Sequence, residues 1–274
     1  AAFAGFGFSL GYAGLVKAVL NIDVPKDETR SDWLQRPLSA SQIKYAALDV
    51  AHMLIVYGKL LQTLKTSERL QWVKSDCADL VTNARKPDDY TEAYFKVGFA
   101  WKLRPLELAI LRDLCIWREV ESRARDIPRN RLIKEPSLFE MARKQPQDAT
   151  HLQRIEDIPS RTLRNDTETL LDIIRTSAAT DSATWPARLD APLAPSDAPL
   201  MKTLKKYVRE AAEALNLPPE LLIRKKEYEA IVRSGMKGGI YVLPERLLGW
   251  RYEVIGKGLL LVAKNPVFDD IESL

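Results

Sequence analysis

Cysteine and histidine are nearly absent from this chain: 274 residues hold only Cys77 and Cys115, His52 and His151. That excludes a zinc cluster of the usual four-ligand kind and any disulfide framework, and makes a reducing cytoplasm the expected location. Long hydrophobic runs are lacking as well. Residues 1–20 are apolar, but they have no initiating Met and no basic leader, and Lys17 sits near their end. They read neither as a signal peptide nor as a span of ~18 apolar residues. No segment alternates apolar and polar residues with the period of two that half-buried strands require. A dominant net charge is missing too, with 41 basic against 37 acidic residues. At 46% hydrophobic residues, disorder is not the default.

What charge there is lies unevenly. Residues 1–94 carry 11 of each sign, residues 95–177 carry 16 basic and 13 acidic, and residues 199–264 carry 13 basic against 7 acidic. A basic excess gathered in one module is the footprint of a polyanion binder. The length suits two or three domains. Without an initiating Met, the chain is expected to begin inside a longer protein.

Helical signals follow one another along the chain. Ser9 is expected to cap a helix through Leu20. Ser39 and Gln42 spell a capping box that opens a long helix to about Leu64, and residues 67–84 read as another. Pro105 opens a helix with Leu106, Ile110, Leu114 and Trp117 on one stripe, and Asp126-Ile127-Pro128 ends it. Ser137 and Glu140 spell a second capping box, stopped by Pro146, and 159–177 closes that block. Residues 178–198, with Pro186, Pro192 and Pro195, have linker composition. A second helical block follows at 201–215, 219–233 and from 244 onward. The short runs Tyr241-Val242-Leu243 and Leu259 to Val262 fit either helix or extended chain. Two blocks of similar helix count suggest a duplicated module.

The chemistry-bearing stretch is residues 29–54. Tyr45 and Asp49 are four apart on a predicted helix and so share a face. A carboxylate can hold a hard divalent cation, and a phenol one turn away can orient a water that the cation activates. Ala46 and Ala47 leave room beside them. By itself the spacing is unspecific, and describes equally a half-buried Tyr beside a solvated Asp. The surroundings say more. Asp32-Trp33, Arg36-Pro37-Leu38, Gln42, Tyr45-Ala46 and Asp49-Val50 together resemble the third motif of the ribonuclease D exonucleases. Downstream, Trp117-Arg118-Glu119, Ala124, Pro128, Leu138 and Leu152 resemble the first helicase-and-ribonuclease-D C-terminal (HRDC) domain of that family. Leu221-Leu222, Arg224-Lys225-Lys226 and Gly249-Trp250-Arg251 resemble the second.

The resemblance implies a mainly α chain: the helical C-terminal part of a ribonuclease-H-like α/β exonuclease domain (1–84), two all-α HRDC bundles (95–177 and 199–274) and a linker (178–198). It implies a 3′→5′ exoribonuclease that trims RNA 3′ ends, such as those of tRNA precursors, by two-metal hydrolysis with Mg²⁺ or Mn²⁺. Asp49 would be a metal ligand and Tyr45 would position the water. The family's other three acidic ligands have no counterpart in the chain, so these residues alone are expected to be inactive. A monomer with no membrane association is expected. Lys202, Lys205, Lys206 and Arg209, on adjacent turns, are candidates for RNA contact, as is an arginine row at 123, 125, 129 and 131. Gly5, Gly7 and Gly11 read as a packed turn, Trp250 as a core residue and His52 as a structural one. The rival readings are a non-catalytic helical RNA-binding module and a helical protein scaffold.

Overall fold

The computed structural model describes residues 1–25, 28–85, 88–236 and 238–265. After a 3₁₀ turn at Ala2–Ala4, α1 runs Tyr12–Leu20. Its cap is Gly11; Ser9 instead takes a left-handed backbone (φ 61°) two residues earlier. Helix α2, Ala40–Thr66, opens with the capping box: Ser39 Oγ accepts the Gln42 N–H, and Gln42 Oε1 accepts the Ser39 N–H. Next come α3 (Leu70–Ala84) and α4 (Pro105–Ala124), the latter with Pro105 at its start and the Glu107 carboxylate accepting the Arg104 N–H. Then follow α5 (Arg129–Leu132), α6 (Glu135–Lys144), α7 (Ala149–Gln153) and α8 (Ser160–Ala178). The chain goes on through α9 (Ala198–Ala214), α10 (Pro219–Leu222), α11 (Lys225–Met236) and α12 (Lys257–Lys264). No strand occurs among the described residues. Tyr241-Val242-Leu243 is irregular, and Leu259 to Val262 is helical.

Besides the Ser9 cap, two expected local features do not form. Helix α6 starts at Glu135 rather than at a Ser137 cap. Pro136 at its entrance fixes the first turn, and the buried Ser137 hydroxyl donates to the Glu156 carbonyl at 2.9 Å. Glu140 pairs with Arg143 and Lys144 instead of closing a box. The stretch 219–233 is two helices, because Ile223 is extended (φ −150°) between α10 and α11.

The chain divides into two compact units, Ala1–Arg85 with Leu193–Leu274 and Lys86–Pro192. In the second, α4 is the central helix: Leu108, Ile110, Leu111, Leu114 and Cys115 are fully buried against residues of α6 and α8 such as Leu138, Met141 and Leu170. In the first, α9 lays Leu204, Val208 and Ala212 against Ile231, Ile255 and Leu259.

The two units repeat one local structure. Asp126-Ile127-Pro128 and Asn216-Leu217-Pro218 both place the first residue at φ 49° and a proline as the cap of a four-residue helix. Ile133 and Ile223, both extended and buried, then end that helix. The left-handed turn lets Ile127 and Leu217 turn back after the long helix, and proline starts the next one without losing a needed N–H.

Candidate functional site

The site lies where α1 packs on α2. Before α2, the loop 28–38 is tied to the helix by one buried side chain. Gln42 Nε2 donates to Ser31 Oγ (3.2 Å) and to the Asp32 carbonyl (3.0 Å) while its Oε1 serves the cap. Trp33 is fixed by its own Nε1–H, which donates to the Glu28 carbonyl, and Arg36 donates to the Trp33 carbonyl. The indole then lies 6.0 Å from the Tyr45 ring, tilted against it. The residues around Tyr45 in the sequence therefore act as a scaffold that limits where its phenol can go.

One turn further along α2 is Asp49, half-buried, with no ion pair to any described residue. Its neighbour across the helix interface is Tyr12 of α1, which spacing within the chain could not single out, since the two are 37 positions apart. The Tyr12 phenol lies between the Asp49 carboxylate and His52 Nδ1, the latter at 3.1 Å. Partial burial, reinforced by the Asp49 charge and by Tyr45, pushes the Tyr12 phenol up to about 12. It therefore stays protonated, with one proton to direct either to this carboxylate or to His52 Nδ1. The structure thus brings Tyr45, Asp49, Tyr12 and His52 together.

The other candidates lie elsewhere. Lys202, Lys205, Lys206 and Arg209 are exposed on α9, opposite its buried Leu204 and Val208. The arginine row is exposed except for the half-buried Arg125, but three of its members are already paired: Arg123 and Arg129 donate to the buried Glu119, and Arg125 forks onto Asp166. Trp250 stacks on Trp72 at 4.6 Å and donates to Asp76, while the buried Arg251 forks onto the same carboxylate at 2.6 and 2.8 Å. Both side chains are structural.

Among the described residues no three of His, Cys, Asp and Glu converge as a metal cradle. Asp49 offers one carboxylate, and a pair of divalent cations needs several, because like charges at short range repel strongly. The residues described here therefore do not fit a two-metal centre on their own.

A 3′-5′ exonuclease family model matches residues 1–65, and an HRDC domain model matches residues 107–174. The exonuclease domain is thus present as a matched segment, not only as a remnant around one motif. Ribonuclease D of Pseudomonas paraeruginosa is 46% identical over 95% of this chain and 69% of its own length. That of Cronobacter turicensis is 30% identical over 97% of this chain and 72% of its own. The crystal structure of Escherichia coli ribonuclease D, an exoribonuclease involved in structured RNA processing, superposes with a TM-score of 0.83 at 27% identity, covering 97% of this chain and 72% of that one. The chain spans about two thirds to three quarters of these relatives, and in it the exonuclease segment comes first and the HRDC segment after it. With identity this high over nearly all of its residues, the chain belongs to the ribonuclease D family of 3′→5′ exoribonucleases.

Proposed function

We propose that Asp49 and Tyr45 are this chain's contribution to the exonuclease site, Asp49 as a ligand for a divalent cation and Tyr45 as the group that orients the attacking water. The substrates would be RNA 3′ ends, such as those of tRNA precursors and small structured RNAs, shortened one nucleoside 5′-monophosphate at a time. The family's dependence on divalent metal would be met by Mg²⁺ or Mn²⁺. The observation that carries this reading is the pairing on one face of α2: a carboxylate engaged by no cation among the described residues, one turn from a phenol held by Trp33. The remaining carboxylates would come from polypeptide beyond the described residues. In the same reading, residues 199–274 form a second HRDC module, supported by the repeated Asn216-Leu217-Pro218 turn; its last residues, 266–274, lie outside those described. The near absence of cysteine fits a cytoplasmic enzyme, and no helix among the described residues is long and apolar enough to cross a membrane.

The test is release of labelled nucleoside 5′-monophosphate from RNA labelled at its 3′-terminal nucleotide. The chain alone should release none at any Mg²⁺ or Mn²⁺ concentration. A protein that also carries the family's other acidic motifs should release it, and Asp49→Ala in that protein should abolish release. Full activity of the Asp49→Ala protein would refute the assignment.

That no three of His, Cys, Asp and Glu converge among the described residues favours a second reading for these residues on their own, a helical RNA-binding module. That module would bind through the exposed lysines of α9. Changing Lys202, Lys205 and Lys206 to Glu should weaken binding and flatten its salt dependence, with a slope near −0.7 lost per phosphate contact removed.

A further inference from the structure

Residues 93–103, ahead of α4, hold a feature that the exonuclease reading leaves unused. Tyr94, Val97, Ala100 and Leu103 recur at steps of three and are all buried in the core around α4. Between them, Phe99 and Lys102 remain exposed. The Phe99 backbone is left-handed, with φ 64° and ψ 7°, a conformation that costs a bulky L-residue stability. A large apolar side chain ordinarily offsets such a cost by burial. The Phe99 side chain does not, being 63% exposed.

Beside the ring is a cleft of about 420 Å³, within the roughly 300–1,000 Å³ typical of ligand pockets. Leu103 and Phe139 line it together with Phe99, and Lys102, Arg104 and Arg143 supply three cations. Its one acid, Glu107, is committed: it accepts the Arg104 N–H and two guanidinium N–H groups from the same residue. Arg143 reaches Glu140, which does not line the cleft. The Lys102 ammonium makes no ion pair with a described residue, and lies 4.7 Å from the Phe99 ring centroid and 5.4 Å from that of Trp101.

An exposed aromatic ring with one ammonium over it and two guanidinium groups lining the same cleft suits one chemistry well. A base stacks on the ring while the cations take the adjoining phosphate, and only an unpaired strand has a base face to offer. We propose that this cleft is a stacking subsite for one nucleotide of single-stranded RNA, with Phe99 as the platform and Lys102, Arg104 and Arg143 around the phosphate. The proposal rests on the reading of RNA as the substrate, and adds a point in the first HRDC-like block where the strand is gripped. A protein segment is the lesser fit, since three cations would crowd an apolar anchor of so small an area.

The experiment measures affinity of the whole chain for a short fluorescent RNA, single-stranded or duplex, in EDTA so that no metal-dependent cleavage intervenes. Phe99→Leu should weaken single-strand binding about tenfold and Phe99→Trp should preserve it, with neither changing the salt slope. Lys102→Gln should weaken binding and reduce the slope by about 0.7. Duplex affinity should be unchanged by Phe99→Leu. Thermal midpoints should not move, because the ring is exposed. If the parent chain binds and both Phe99→Leu and Lys102→Gln bind equally well, the subsite is overturned while the RNA reading stands. If the parent chain binds no single-stranded RNA, that reading fails, and the subsite with it. A thermal midpoint lowered in step with affinity in Phe99→Leu would assign the ring a packing role and overturn the proposal.

Discussion

At the scale of single residues, the carboxylate of Asp49 faces a phenol from another helix. Tyr12 presents a phenol that stays protonated to a carboxylate with no cationic partner among the described residues. Removing that hydroxyl should let the carboxylate rotate. In a protein with the complete acidic set, Tyr12→Phe should cost about 10–100-fold in activity, the usual range for a group that orients a metal ligand. Asp49→Ala should cost more, and Tyr45→Phe should lower turnover while leaving metal affinity as it was. Equal metal affinity in Tyr12→Phe and the parent would detach Tyr12 from the site. A different residue-scale effect governs Arg118, which is 1% exposed, with its Nε and one terminal nitrogen lacking any hydrogen-bond partner among the described residues. Its nearest acid, Glu119, is held below the usual carboxylate range despite burial that would raise it, by Arg123 and Arg129 as well as Arg118. Arg118 is thus the weakly bound member of the group. Arg118→Met should be neutral or stabilising in urea denaturation, whereas Glu119→Gln should cost about 1–3 kcal/mol by leaving the one buried guanidinium, that of Arg118, without its acid. A large loss in Arg118→Met would mean that ordered water satisfies its nitrogens.

At the scale of elements, fastening is done by a few long-range ties. The Trp72–Trp250 stack and the Arg251–Asp76 fork join α3 to the segment before α12, and Arg69 donates to the carbonyls of Phe3 and Leu215. Burial alone would raise the Asp76 carboxyl, but the Arg251 and Trp250 donors hold it below the usual range. A folded value below the unfolded one, about 3.9, means this tie contributes fully above that pH. Its contribution is then lost as pH falls through the folded value. Tryptophan fluorescence should show Asp76→Asn less stable than the parent at neutral pH, with the gap closing between about pH 5 and pH 2. A gap that is constant over that range would rule the charge out as the source. Such ties also mark what a sequence can reveal. The Ser39–Gln42 box was legible because both partners are three residues apart and serve the same helix end. Ser137–Glu140 has the same spelling, but the Ser137 hydroxyl finds a better acceptor at Glu156, and Pro136 moves the helix start. Tyr45 and Asp49 could be read from one face of one helix. Tyr12 and Phe99 could not: one meets Asp49 only after two helices pack, and the other is marked by a backbone angle that no residue pattern encodes.

At the scale of the whole molecule, α2 is the element whose surroundings are incomplete. Of its 27 residues only Gln42, Val56 and Leu64 are buried, although α1 covers one side. Val50 (71%), Leu54 (70%), Tyr57 (63%) and Ile43 (57%) stay exposed, and Leu80 and Val81 of α3 do too. Single exposed apolar residues are ordinary, but this many on one helix mark a surface that associates with something. For the chain by itself, the available apolar surface is another copy. Sedimentation should therefore show a mass that rises with concentration. Val50→Lys with Leu54→Lys should suppress that rise without lowering the thermal midpoint, since neither side chain supports a core in the described structure. The added charges should disfavour contact between copies, so raised salt should partly restore association in the double variant by screening them. A parent chain that remains monomeric at every concentration, together with a double variant that unfolds earlier, would show that these side chains are packed in solution and that the face is not open.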